Sequence, residues 1–508
     1  MLNTGTGLKQ GAFTLDKTAI NYCYLVVGLL FLVRLFFIGK YNLLVEEAYY
    51  WNYAQHFDFG YLDHPPMVAV LIKITTFFFG SSEFGVRISA LFCWILTVFF
   101  SYKLTYLLNV KASQYVVVIL SMLPFYFLQS LVITPDVSLL LGWSGALYCL
   151  YRCLVLNEAK FWYGAGFFLG IGMLSKYSIV LLGPATILYM CVVPAARQWF
   201  VRKESYLCVL IVALMFTPVI YWNATHEWAS FVFQGARRFN EHPSFSLHFL
   251  VLLLFVFIMP LGVFALIKLA SKRSLDAANL SHSKRRFLQI FTFLPLIFFA
   301  AYSCKHSIKL NWICPGLLAV LPWIAIQMTL HKRQAQVWLI TAFCMFIGYT
   351  YFLNLVCYRN QSIIPPVQLI KLSNWDQFTL QFHSIAAQIE KETNQAPVFV
   401  PMDLYNTASE LSYYQYKNLM NGEISQSYPV SGGHVVGQTS LMHRYWTKRE
   451  DLIGKTLIII SVHPEYLESP EVVNHVQTIR PIGQVTSYTQ GKPDKIQIYY
   501  YKVGVLKD

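Results

Sequence analysis

A chain of 508 residues is long enough for several soluble domains, but its composition excludes that reading. Hydrophobic residues make up 56% and charged residues 13%, and the mean hydropathy is +0.47. Soluble chains carry about 25% charged residues, so this one has too little charge to coat a water-facing surface and belongs in a membrane. The net charge of +14 would fit a polyanion partner only if it were gathered on one surface. Residues 357–508 hold 13 basic and 13 acidic side chains, so the whole excess lies in the first 356, with 26 basic against 12 acidic.

In chain order, apolar segments near the roughly 20 residues a bilayer requires fall at 19–38, 84–108, 114–133, 137–156, 161–175, 177–196, 206–222, 246–269, 287–303, 311–330 and 334–356. With the N-terminus in the cytoplasm, the inner loops gain 17 basic and four acidic residues, and the outer loops eight of each sign. Arg34, inside the first span, supplies the remaining unit. This is the positive-inside pattern, and it accounts for the excess without nucleic acid. The run 20–38 is long and lacks a small-residue cleavage pattern, so it is expected to remain as the first span. The expected architecture is an α-helical integral membrane protein with a bundle of about eleven spans over residues 1–356. Residues 357–508 would form an extracytoplasmic α/β domain.

The ten cysteines lie in or beside apolar segments or, for Cys357, at the last boundary, so no disulfide framework is expected in the outer domain. There, Phe378, Phe382, Ile385 and Ile389 recur at helical spacing. Val398–Val400, Leu457–Ile460 and Ile496–Tyr501 read as strands, and Gly422–Gly437 as a loop. No repeat of 20–50 residues is present.

Given this topology, ionisable residues of both signs collect at the outer face. The first outer loop carries Val45-Glu-Glu-Ala-Tyr-Tyr-Trp-Asn52 and then Gly60-Tyr-Leu-Asp-His-Pro-Pro66. On a helix starting near Glu46, Tyr50 lies one turn on, so a carboxylate and a phenol share a face. The plainer reading, an interfacial aromatic belt, explains Tyr49, Tyr50 and Trp51 but not the adjacent carboxylates Glu46 and Glu47. His64 precedes two prolines, which extend it and then open a helix over 66–79, too short to span and expected to lie along the interface. The start of that helix, beside a histidine, suits an anion such as phosphate.

Further along, Thr134-Pro-Asp136 places an acid where the third span surfaces, and Leu174-Ser-Lys-Tyr177 breaks an apolar stretch with one lysine. A snorkelling lysine is the plainer account of Lys176. Tyr221-Trp-Asn-Ala-Thr-His226 and Phe233-Gln-Gly-Ala-Arg-Arg238 form a wet, aromatic loop, and Asn223-Ala-Thr225 also fits a weak glycosylation sequon. Ionisable groups at membrane depth are functional candidates by default.

Taken together, the acidic pair, the Asp-His-Pro-Pro turn, Val86-Arg87 and Pro135-Asp136 resemble the bacterial polyprenyl-phosphate-sugar glycosyltransferases. These belong to the GT-C superfamily, which includes the lipid A aminoarabinose transferase and the protein O-mannosyltransferases. Leu174–Tyr177, Trp222–His226, Phe233-Gln234 with Arg237, and Lys309-Leu-Asn-Trp-Ile-Cys-Pro315 extend the resemblance. It is nearest to the branch that adds uronic or amino sugars to lipopolysaccharide core or lipid A.

The resemblance implies a sugar transfer from a polyprenyl-phosphate donor to a glycolipid acceptor, lipid A or core, in the bacterial inner membrane, with the site facing the periplasm. Glu46 takes the place of the family's catalytic Asp, and Asp136 its second acid. The extra methylene at Glu46 shifts a base by more than ~1 Å unless the backbone compensates or Glu47 shares the role. His64, with Arg87 and Lys176, would stabilise the departing phosphate, and attack from the far side would invert the sugar. Tyr50, Asp63, Asn223, His226, Arg237 and Lys309 are the candidates for holding substrate. Neither a cofactor nor a metal is expected. The rival readings are a protein O-glycosyltransferase of the same superfamily and, from another class, a transporter or flippase, although transporters usually place their polar groups at midplane.

Overall fold

The computed structural model describes residues 17–235, 243–271, 276, 278–355, 357, 374–488 and 496–508. The chain is mostly helical and ends in a small sheet. The first half runs α1 (Lys17–Phe37), α2 (Val45–Gln55), α3 (Met67–Phe79), α4 (Glu83–Leu108), α5 (Ala112–Met122), α6 (Pro124–Gln129), α7 (Pro135–Leu154) and α8 (Phe161–Met173). After a 3-10 turn at Tyr177–Leu181 come α9 (Leu182–Val192), α10 (Lys203–Thr225) and α11 (Ala229–Gln234).

Eleven apolar stretches were expected to span. Among the described residues, five helices are long and apolar enough: α4, α7, α10, His282–Ser303 and Lys332–Asn354. Leu247–Phe257 and Met259–Ala270 make a pair bent by 110°, α1 is apolar over Tyr24–Phe37, and the remaining stretches carry shorter apolar helices. Proline accounts for much of the difference. Pro124 leaves Leu123 extended and splits the 114–133 stretch between α5 and α6, and Pro260 opens the second limb of the bent pair.

Two contacts show how the bundle closes. Gly142 of α7 faces Gly172 of α8 so tightly that a Cβ there would lie 2.8 Å from the Gly172 nitrogen, so the helix backbones meet without side chains between them. Arg34 of α1 is fully buried, yet its donors reach Ser130 Oγ (2.6 Å), the Leu30 carbonyl (2.9 Å) and the Ser121 carbonyl (2.6 Å). Its guanidinium lies 4.2 Å from the centre of the Trp94 ring. A charge this deep persists because every direction it points in holds an acceptor or a ring.

In the C-terminal part, the helical spacing from Phe378 to Ile389 becomes the helix Trp375–Thr393, with Phe378, Phe382 and Ile389 buried. Four strands form one sheet in the order β1-β2-β4-β3: β1 (Val398–Pro401), β2 (Thr456–Ser461), β3 (Val476–Tyr488) and β4 (Ile496–Leu506). β1 and β2 pair in parallel and the other pairs are antiparallel. The strand reading missed β3, whose run contains Pro481 and Gly483 and carries two register shifts against β4. It also missed the helix Asn406–Met420, which crosses to pack on α2.

Candidate active site

The segment between α1 and α4 is built around one ion pair. Glu47, in the first turn of α2, accepts the Leu44 N–H (2.9 Å) and so closes the start of its own helix. The same carboxylate takes the Arg87 guanidinium, Nε at 2.9 Å from Oε1 and Nη2 at 2.6 Å from Oε2, and also the Ile133 N–H at 2.9 Å. The remaining Arg87 donors go to the carbonyls of Ile38 (3.1 Å), Tyr41 (2.8 Å) and Asn42 (2.8 Å). Both side chains are fully buried. Four separate segments converge on this pair, and Arg87 has no donor left to offer a phosphate. The phosphate role expected of Arg87 would need one of these bonds to be given up, since its fork is consumed by the loop.

Glu46 is one residue away and about 100° round the helix, which puts it outside. It is exposed and makes no hydrogen bond or ion pair among the described residues. The two adjacent carboxylates therefore have opposite fates, one sealed and one open.

Asp63 is buried and accepts hydrogen bonds from the Tyr49 hydroxyl (3.2 Å) and the Tyr53 hydroxyl, both on Oδ1. Burial pushes its carboxyl above the usual range, and the two tyrosines and Lys309 oppose that. Tyr50 is buried and sets its ring edge-on to His64 at 5.8 Å. The phenol is pushed well above its ordinary range, first by burial and then by the charges of Asp63, Tyr405 and Glu46.

The start of α3 differs from the expected open phosphate site. The Met67 N–H donates to the Leu174 carbonyl (2.9 Å), and Val68 and Ala69 are buried, so the helix start is docked on the 174–176 turn. That docking brings His64 and Lys176 to the same cavity. Lys176 Nζ lies 2.9 Å from Asp136 Oδ1, and Asp136 Oδ2 accepts Asn311 Nδ2 at 2.5 Å. The cavity measures about 240 Å³. His64, Lys176, Ser178 and Gln234 supply its polar lining, and Val180, Leu181, Phe298, Phe299, Tyr302 and Trp312 most of the rest.

The other candidates scatter. Lys309 is exposed within electrostatic range of Asp63. The Asn223 amide is buried and serves its own helix end, donating to the Val219 carbonyl (2.9 Å) and accepting the Phe231 N–H (3.3 Å), so it is open to neither substrate nor glycan. His226 stacks on Trp222 at 4.2 Å and holds the Trp222 carbonyl. Arg237 lies outside the described residues.

Three contributors were missed. Asn311 sits inside the quoted Lys309–Pro315 motif and could have been named from it. Tyr405, 4.5 Å from the Tyr49 ring, and Glu410, buried beside Glu47, come from the C-terminal part, and nothing local in their sequence marks them.

Residues 63–222 match the model of the dolichyl-phosphate-mannose-protein mannosyltransferase family. The lipid A galacturonosyltransferase RgtD of Rhizobium johnstonii is 24% identical over 188 residues, which is 37% of this chain and 39% of that protein. The chain therefore spans well under half the length of this relative. ArnT from Cupriavidus metallidurans in its apo state superposes with a TM-score of 0.65 at 13% identity, covering 96% of this chain and 98% of that one. The same protein bound to undecaprenyl phosphate gives 0.64 at 12% identity, with 95% and 98% covered. The GT-C resemblance read from the sequence is borne out, and the fold is ArnT-like over nearly the whole chain.

Proposed function

We propose that this chain is an inverting glycosyltransferase of the bacterial inner membrane, with about eleven spans over 1–356 and its site and the 357–508 domain on the periplasmic side. It moves a sugar from a polyprenyl-phosphate donor to lipid A or lipopolysaccharide core. One observation carries the reading: the cavity joins a polar end, where the Lys176 ammonium and the His64 ring meet, to an aromatic and aliphatic wall. A phosphate on a long apolar tail has that same division. Nucleotide sugars are cytoplasmic and have no use for the wall.

Each residue then has one task. Lys176, steadied by Asp136, neutralises the phosphate as it departs, and His64 offers it a further hydrogen bond. Asn311 fixes Asp136, so the lysine is aimed before donor arrives. Glu46, the open carboxylate, takes the proton of an acceptor hydroxyl. The Glu47–Arg87 pair is not part of the chemistry in this reading. It holds α2 at the height that presents Glu46, which offsets the extra methylene of Glu over Asp.

The lipid A acceptor is proposed on the likeness to RgtD, a lipid A galacturonosyltransferase by name. The family model is described by protein mannosylation, which favours a protein acceptor as the second reading. Mass spectrometry of lipopolysaccharide from a deletion strain separates them. Loss of a hexuronic acid or amino-sugar mass supports the first, and unchanged lipopolysaccharide with under-glycosylated envelope proteins supports the second.

A further inference from the structure

The helix Asn406–Met420 is the main strut between the C-terminal part and α2. Asn52 Nδ2 donates to the Ser409 carbonyl (3.2 Å), the Leu43 N–H donates to the Tyr414 hydroxyl (3.1 Å), and the Trp51 and Tyr413 rings meet edge-on at 5.2 Å. Within this contact Glu410 is fully buried, and neither carboxyl oxygen has a hydrogen-bond partner among the described residues. An ionised carboxylate cannot persist in such a place without a partner, whereas a protonated one costs far less.

The charges around it point the same way. From α2 it faces Glu46 and Glu47, from the helix Trp375–Thr393 it faces Asp376, and from α4 it faces Arg87. Arg87 is already committed to Glu47. On its own helix are Tyr413, Tyr414 and Lys417, the last of which is taken by Glu83 at 2.7 Å and Asp376 at 3.5 Å. His443 bonds the neighbouring Ser409 (3.3 Å) and is itself held neutral. Three acids and two spent cations leave no counter-charge for a further acid.

We propose that Glu410 is a positioning residue of the transfer reaction, a neutral carboxylic acid whose proton keeps the C-terminal part closed on α2 and so holds Glu46 in place. The role of Glu46 in this statement rests on the function proposed above; the protonation of Glu410 does not. Burial, then Glu47 and Glu46, push this carboxyl well above its ordinary value of 4.5. Between 4.5 and that raised value the folded chain keeps a proton that the unfolded chain releases, so stability falls as pH rises through the window. Above it, a bare charge opposes the contact.

Glu410→Gln keeps the shape and removes the ionisation. The test uses the purified full chain in detergent, wild type and Glu410→Gln, with melting midpoint and transfer rate both measured against pH. The midpoints should coincide near pH 4.5 and the Gln variant should lead increasingly above it. Wild-type transfer should fall on the alkaline side, and that limb should be absent from the Gln variant. A Gln variant less stable than wild type at about pH 8 would mean that the ionised carboxylate holds a partner, and overturns the proposal. Superimposable pH–rate profiles would overturn the positioning role. If wild type itself transfers no sugar, the functional reading fails, and the midpoints still decide whether Glu410 carries its proton.

Discussion

Arg87 is clamped on Glu47 by two donors, Nε at 2.9 Å and Nη2 at 2.6 Å, in a space closed to solvent. Removing one member of a buried pair strands the other, at a cost of about 3–5 kcal/mol. Arg87→Ala and Glu47→Ala should therefore reduce the yield of folded protein and its melting midpoint. Arg87→Lys should rescue little, because an ammonium cannot reproduce the fork that also reaches three carbonyls. Size-exclusion recovery and thermal scans in detergent check this. An Arg87→Ala variant that folds normally but loses donor binding would return Arg87 to the phosphate.

Lys176 and His64 share the cavity, and loss of one electrostatic donor to a departing group typically costs about 100- to 1,000-fold in turnover. Lys176→Ala and His64→Ala should fall in that range while remaining folded, since Asp136 keeps the Asn311 hydrogen bond when the partly exposed lysine is removed. Asp136→Asn should be milder, because it leaves the lysine charged but less firmly aimed. Single-turnover rates with donor at saturation separate the two effects.

Glu46→Gln reports on the acceptor. A sugar hydroxyl needs a base as it attacks, a role worth roughly 100- to 10,000-fold, whereas a lipid A phosphate arrives ionised and needs none. With a hydroxyl acceptor the variant should bind donor and not turn over. With a phosphate acceptor it should keep most of its activity, because a negative charge near an incoming anion has been removed. Full activity on a demonstrated hydroxyl acceptor would end the assignment of Glu46 as base.

Acid should weaken the C-terminal part through His443. Burial, then His56 and His434, bring its imidazole down from 6.5 to about 3. The unfolded chain takes up a proton below 6.5 that the folded chain refuses, so the neutral form favours folding fully above that value and the benefit is lost as pH falls towards 3. His443→Gln should flatten the decline in melting midpoint between those limits. An unchanged acid slope would place the sensitivity elsewhere.

How much of this was legible depended on distance along the chain. The apolar segments, the acidic pair, the Asp-His-Pro-Pro turn and the lysine at 176 are local patterns, and periodicity and motif order exposed them. Which acid was open was not legible. Glu46 and Glu47 differ by a helical rotation whose phase is fixed by Arg87, forty residues on. The α3 start looked like an anion site because its neighbour, the Leu174 carbonyl, lies at the end of α8, more than a hundred residues on. Asn223 looked available because only the folded helix end uses both ends of its amide. Tyr405 and Glu410 lie more than 350 residues from the helix they pack on, in a segment whose composition is ordinary.

The most direct test is transfer by the purified chain in detergent from a polyprenyl-phosphate-sugar lipid extract to lipopolysaccharide, read by mass spectrometry, with Lys176→Ala alongside. The account predicts a new sugar mass on the lipopolysaccharide with wild type, released polyprenyl phosphate in equal amount, and roughly 100-fold or greater loss with Lys176→Ala. Transfer from a nucleotide sugar with no lipid donor present, or undiminished transfer by Lys176→Ala, would contradict it.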